Sequence, residues 1–403
     1  MTPAAAAFIC IVAALPALMH VGMQTLFGGV ASDVRTALDA TSASMGVMAA
    51  TVYVPSILIS PGSGALVDRF GARRTLVAAT TGFALCWAWL ASSTSVPNSI
   101  AARASMGVCA SFLYPGFIAV TTRLVAPQGR QGVISLMQMG IGLVAITSSL
   151  LATRVLASDA WRTAFLLPAA VAIPLTIALW HSLGGASLRG RRAAGGSAPP
   201  LSIAQVLQRA DIRNACMVAF GTGGIMLAFG GLLNGVAARV IWNLPEGSWG
   251  LVNAAFYLGY AVGGLALARA VRRFGVNRVL RGSLAFLAAS LAAWCYMPMS
   301  VGTPAAVVMT LCCGLGASSM SVAVAVAVRS VPVESTGVTS GIVTAAMSLS
   351  GFTIQAGAMA SALVPGTTPL GRAQTCAGLV LGVVVLAYAA ARRIRDEPSH
   401  PQA

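Results

Sequence analysis

Three polar side chains fall inside long apolar stretches, where a titrating or charged group is rare: His20, Gln24 and Arg103. Gln24 follows His20 by one helical turn and Phe27 by another, so the three share one face of a helix. A histidine titrates near neutral pH and can carry a proton coupled to another event; the other reading is a neutral imidazole hydrogen-bonded between helices. A lone arginine within a bilayer costs about 2.5–3.5 kcal/mol unless it meets water or a partner. Arg103 therefore either holds backbone carbonyls or supplies the positive charge of a polar cavity. In the second case an anionic or polyoxygenated solute is favoured. Polar stripes at helical spacing add Gln138, Asn234, Asn253, Tyr257 and Gln355 as candidate solute ligands. The serines and threonines beside them, such as Ser135, Ser149, Ser340, Thr344 and Ser348, read as helix-packing residues.

The carboxylates point the same way by their positions. All nine, Asp33, Asp39, Asp68, Asp159, Asp211, Glu246, Glu334, Asp396 and Glu397, fall at or beyond the ends of the apolar stretches. An intramembrane Asp or Glu is the usual proton relay, so coupling to protons would need another group. No nucleophile–base constellation, phosphate loop or metal cluster is apparent, and no catalytic residue, metal or cofactor is expected. The eight cysteines (10, 86, 109, 216, 295, 312, 313 and 376) lie within apolar stretches and read as free buried thiols.

These residues need helices across a bilayer to position them. Hydrophobic residues make up 57% of the 403 and charged residues 8%, against about 25% charged in soluble proteins. Stretches near the roughly 20 residues needed to cross a bilayer recur along the whole chain. Twelve spans are expected, at roughly 7–30, 46–66, 75–93, 98–122, 131–152, 163–183, 213–236, 249–269, 279–297, 304–328, 338–362 and 372–391. The first has no basic region ahead of it and reads as an uncleaved span. Residues 1–183 then form an N-terminal six-helix bundle and 213–391 a C-terminal one. The Arg-, Gly- and Pro-rich stretch 184–212 is a cytoplasmic linker, and 392–403 a cytoplasmic tail.

The net charge of +16 comes with 25 arginines and no lysine. With both termini inside, only Arg35, Arg154, Arg162, Arg239 and Arg372 lie outside and Arg103 within a span; all others lie on the inner side. That asymmetry is the positive-inside pattern of a membrane protein and removes the need for a nucleic-acid partner. A bacterial inner membrane is the expected location.

The two halves echo each other. The run Gly64 to Arg74 (GALVDRFGARR) recurs in degraded form at Ala268 to Arg278, and Pro127 to Gly132 recurs at Pro332 to Gly337, offsets of 204 and 205. Duplicated halves in so apolar a chain suit two bundles that rock about a shared central site. The pattern Gly64, Asp68, Arg69, Gly71, Arg73 and Arg74 resembles the signature loop of the major facilitator superfamily, and Arg103 with Gly107 resembles its second motif. The resemblance covers nearly the whole chain. It implies an all-α membrane protein with 12 transmembrane helices in two pseudo-symmetric six-helix bundles. It also implies that Asp68 faces the start of span 11 near Thr336 and Gly337, as a conformational latch formed with Gly64, Arg69, Gly71, Arg73 and Arg74. A helix N-terminus carries partial positive charge, so such a contact is worth about 0.3–1 kcal/mol. The second copy departs: Arg272 stands at the position of Asp68 and Asn277 replaces the first of the paired arginines. A second latch is not expected there.

The expected function is secondary transport of a small organic solute by alternating access. The alternative is efflux of a drug-like compound or siderophore; the Gly-Pro-x-x-Gly-Gly motif usual on span 5 of drug exporters is absent from Gly140 to Ser149. A solute sensor without transport is a third reading, which the short tail after Arg392 disfavours. The expected partners are the solute, the lipid bilayer and a coupled proton or counter-solute, with the chain acting as a monomer.

Overall fold

In the computed structural model, residues 2–154, 161–184, 201–227, 234, 240–245, 248–296, 302–362 and 368–394 are described. They are almost entirely helical. The first half runs α1 (Pro3–Gly29), α2 (Ala31–Ala37), α3 (Ser42–Thr51), α4 (Tyr53–Phe70), α5 (Ala72–Ser92), α6 (Val96–Leu124), α7 (Pro127–Arg154) and α8 (Trp161–Ser182). After a short α9 (Ile203–Gln208), the second half runs α10 (Ala210–Gly224), α11 (Ser248–Phe274), α12 (Val276–Tyr296), α13 (Gly302–Ala317), α14 (Met320–Arg329), α15 (Thr336–Ala362) and α16 (Pro369–Ala391).

Among the described residues, eleven stretches are long and apolar enough to cross a membrane. The expected span at 213–236 starts in α10, and most of its second half, 228–233 and 235–236, lies outside the described residues. Leu58, Leu85, Leu167, Ile173, Val308 and Val385 are exposed on the helix bundle. In water such a surface would be an aggregation hazard; here it is the surface that lipid covers.

The internal repeat is visible in the backbone. Both α4 and α11 end at a phenylalanine, followed by a glycine in the left-handed region, Gly71 at φ 86° and Gly275 at φ 81°. That conformation is open to glycine and strained for other residues, so the same turn is made twice from the same chemistry. The residue two places on then reaches the last long helix of its own half. The Arg73 guanidinium lies 3.7 Å from the centre of the Trp180 ring, and the Asn277 side-chain amide donates to the carbonyl of Ala391 at 3.0 Å. The halves meet along two seams, α4 against α15 and α7 against α11. These seams exchange under the pseudo-twofold relation, because α4 corresponds to α11 and α7 to α15.

Candidate functional site

A cavity of about 60 Å³ lies where the two halves meet. It is lined from the first half by His20 of α1, Tyr53 and Ser56 of α4, Tyr114 of α6 and Met137 of α7. The second half contributes Met226, Leu227, Met320 of α14, and Thr344, Met347 and Ser348 of α15. Sites for organic ligands usually measure 300–1,000 Å³, so this cavity admits a few waters and no such solute. Four methionines fill the remainder, as flexible thioethers do where a space is irregular.

Among the described residues, contacts between the halves flank the cavity toward both faces. On the face carrying the Gly71 and Gly275 turns, here the basic face, α4 and α15 touch backbone to backbone. A Cβ on Gly64 would stand 1.9 Å from the Gly337 carbonyl carbon, and one on Gly341 2.0 Å from the Ser60 carbonyl oxygen. Thr122 and Thr336 add a hydroxyl contact at 3.4 Å. Toward the opposite face the seal is made of side chains. Span 7 departs from regular α-helix at Ile225–Leu227, and its carbonyls there become acceptors. The Tyr53 hydroxyl donates to Leu227 O at 3.0 Å, and the Tyr257 hydroxyl donates to Met226 O at 3.3 Å. Gln355 Nε2 donates to the Tyr53 hydroxyl at 3.4 Å, and Thr25 Oγ1 to the Tyr257 hydroxyl at 3.3 Å. Asn253 donates to Ser149 Oγ at 2.9 Å and accepts from Asn234 at 3.2 Å. Among the described residues these hydrogen bonds separate the cavity from that face.

One prediction follows from the tyrosine seal. Tyr53→Phe removes two hydrogen bonds, together worth about 1–2 kcal/mol net. A cysteine at Ser348, in a background without native cysteines, should then react with an impermeant maleimide added at the opposite face roughly tenfold faster. An unchanged rate would show that the hydroxyl does not hold the seal.

Arg103 stands apart from the cavity. It is 1% exposed, and its Nε donates to Met48 O at 3.0 Å while Nη2 donates to Ala49 O at 3.3 Å and Gln24 Oε1 at 2.9 Å. The Phe27 ring centre lies 4.1 Å from its Cζ. Met48 and Ala49 belong to the last turn of α3, just before the interruption at Val52 that separates α3 from α4 within one span. Helix ends leave carbonyls without partners and carry partial negative charge. A guanidinium placed there satisfies both needs at once, and of the two readings open in the sequence the geometry displays the carbonyl-holding one.

The other candidates divide in the same way. His20 lines the cavity, edge-on to Phe83 at 5.4 Å. Gln24 belongs to the Arg103 clamp, and Gln138 Oε1 accepts from the Tyr260 hydroxyl at 3.0 Å across the α7–α11 seam. Asn234, Asn253, Tyr257 and Gln355 lie in the opposite-face seal. Of the loop residues, Gly64 sits against Gly337, Gly71 makes the turn, and Arg69 packs over Phe70 at 5.4 Å. Arg73 stacks on Trp180 and Arg74 is exposed. The Asp68 side chain lies outside the described residues. Tyr53, Tyr114 and the four methionines were not singled out from the sequence, although Tyr53 and Tyr114 are two of only six tyrosines and both fall inside apolar stretches.

Several buried polar atoms have no hydrogen-bond partner among the described residues: His20 Nδ1, Gln24 Nε2, Arg103 Nη1, Tyr114 OH, Gln138 Nε2 and Gln355 Oε1. Such atoms are rare in a settled interior, since each costs about 1–3 kcal/mol.

A duplicated helical membrane protein with a small central cavity where its halves meet has the architecture of a membrane transporter. The Major Facilitator Superfamily profile matches residues 12–355, and the chain belongs to that family. Among solved structures it is similar to the human organic anion transporter MFSD10 (TETRAN), with TM-score 0.64, 18% identity and 96% of both chains covered. It is also similar to a bacterial homologue of the iron transporter ferroportin in an outward-facing state with soaked iron. There the TM-score is 0.68, the identity 16%, and the coverage 95% of this chain and 98% of the other. No curated protein matches the sequence.

Proposed function

We propose that the protein is a secondary transporter moving a small, oxygen-rich or anionic organic solute through the cavity at the junction of its halves. The observation that carries this reading is the set of unpartnered polar atoms around that junction. His20 Nδ1 and Tyr114 OH belong to residues that border the cavity and Gln138 Nε2 lies at the α7–α11 seam, and an oxygen-rich solute would supply acceptors to the Tyr114 hydroxyl and the Gln138 amide. The likeness to solved transporters at under a fifth identity speaks for the fold and leaves the solute to the site's own chemistry.

The reading places the basic face in the cytoplasm with both termini, in keeping with the arginine asymmetry, in a bacterial inner membrane. The bundles 1–183 and 213–391 rock about the cavity, joined by 184–212, with 392–403 as a tail. His20 is the titrating group assigned to coupling, because no carboxylate lines the cavity among the described residues.

Purified protein in liposomes should exchange a radiolabelled solute from a panel of organic anions and polyols with saturation. Tight binding with no flux for every bound solute would instead establish a sensor. His20→Gln should retain counterflow exchange while flattening the pH dependence of net flux. An unchanged profile would remove His20 from the coupling role.

A further inference from the structure

The seam that mirrors the closed contact of Gly64 on Gly337 is not closed. By the repeat offsets, Ala268 corresponds to Gly64 and Gly132 to Gly337. Both residues line a groove of about 510 Å³ on the basic face, between α7 of the first half and α11 and α14 of the second. A Cβ on Gly132 would meet nothing within 4 Å, where one on Gly64 would meet the Gly337 backbone at 1.9 Å. Three guanidinium groups line the groove: Arg130 from the first half, and Arg272 and Arg329 from the second. Among the described residues, no carboxylate does. Arg272 occupies the position that holds Asp68 in the first copy.

Like charges on two surfaces that must approach each other oppose closure. Arg130 is also fixed in place: its Nε and Nη2 donate to the carbonyls of Val125 and Thr122 at 3.1 and 2.9 Å. Arg272 and Arg329 are exposed to the groove. A planar fork of donors on each side suits a tetrahedral or carboxylate oxyanion, which can take hydrogen bonds from more than one arginine.

We propose that the groove binds an oxyanion of the phosphate class, which bridges Arg130 to Arg272 and Arg329 and draws the α7–α11 seam together on the basic face. The ligand supplies, detachably, the negative charge that Asp68 gives the first copy covalently. The site therefore regulates one of the two seams. The proposal takes from the transport reading only the idea that this seam opens and closes, and its test requires no flux.

The protein would be reconstituted in phosphatidylcholine nanodiscs with spin labels on cysteines replacing Ala126 and Arg273, exposed residues that do not line the groove. Inorganic phosphate at about 10 mM, against chloride of equal ionic strength, should shorten and narrow the label distance. It should also raise the melting temperature by roughly 2–4 °C. If phosphatidylglycerol in the nanodisc produces the same change without phosphate, the source is a lipid headgroup; if only phosphate does, the source is soluble. Arg272→Gln should raise the phosphate midpoint at least tenfold. Arg272→Asp, which restores the charge of the first copy, should give the short distance with no added anion and no further response. The proposal is overturned if neither phosphate nor phosphatidylglycerol moves the distance, or if Arg272→Gln titrates like the native protein. Either failure would leave solute transport through the central cavity untouched.

Discussion

Arg103→Ala is expected to lower the melting temperature of the purified protein more than any other single change to its polar residues. The guanidinium, 1% exposed, serves three acceptors: two carbonyls at the end of α3 and the amide oxygen of Gln24. An acceptor stranded without a donor costs about 1–3 kcal/mol, and the lost packing over Phe27 adds to that. The sum is about 4 kcal/mol or more, a size reached by few substitutions. Arg103→Lys keeps the charge and loses the fork, so it should fall between alanine and the native residue. Melting followed by size-exclusion fluorescence in mild detergent would measure the series. An alanine variant as stable as the native protein would mean that the carbonyls find other partners.

Gly64→Ala should have the largest effect on conformation. Its methyl group would fall 1.9 Å from the Gly337 carbonyl carbon and 2.4 Å from Val338 N. These are backbone atoms of a packed helix and cannot swing aside as a side-chain end can. The helices must separate, and the neighbouring contact of Gly341 on Ser60 opens with them. The closed state on the basic face is then lost, flux falls by roughly tenfold or more, and a cysteine at Ser56 in the cavity becomes open to reagent from that face. The same helix carries its own control, because a Cβ on Gly62 meets nothing within 4 Å. Gly62→Ala should behave as the native protein. If the two variants transport alike and label alike, the tight approach of α4 to α15 is not needed for closure.

The sequence was informative where a pattern has one physical solution. Apolar length specified membrane helices, and the recurrence of Phe-Gly at an offset of 204 reappears as two turns of nearly equal φ. It was less informative at the junction of the halves. His20, with Gln24 and Phe27 on one face, was legible, yet only His20 borders the cavity while Gln24 and Phe27 meet Arg103. A helical face says which residues look the same way and not which neighbour they meet. Tyr53 was passed over because its partner is a carbonyl of irregular backbone at Leu227, and acceptors of that kind leave no trace in residue type. The methionines were passed over because apolar side chains in an apolar helix give no contrast.

Those methionines bear on substrate range. Met137, Met226, Met320 and Met347 come from four different helices of both halves, and each has three rotatable bonds and a polarisable sulfur. A wall of that kind remoulds around guests of differing outline with little penalty, whereas a wall of branched or aromatic groups would reject them by shape. On the transport reading proposed above, selectivity falls to the few fixed dipoles, and compounds alike in where they carry oxygen should compete even when their carbon skeletons differ.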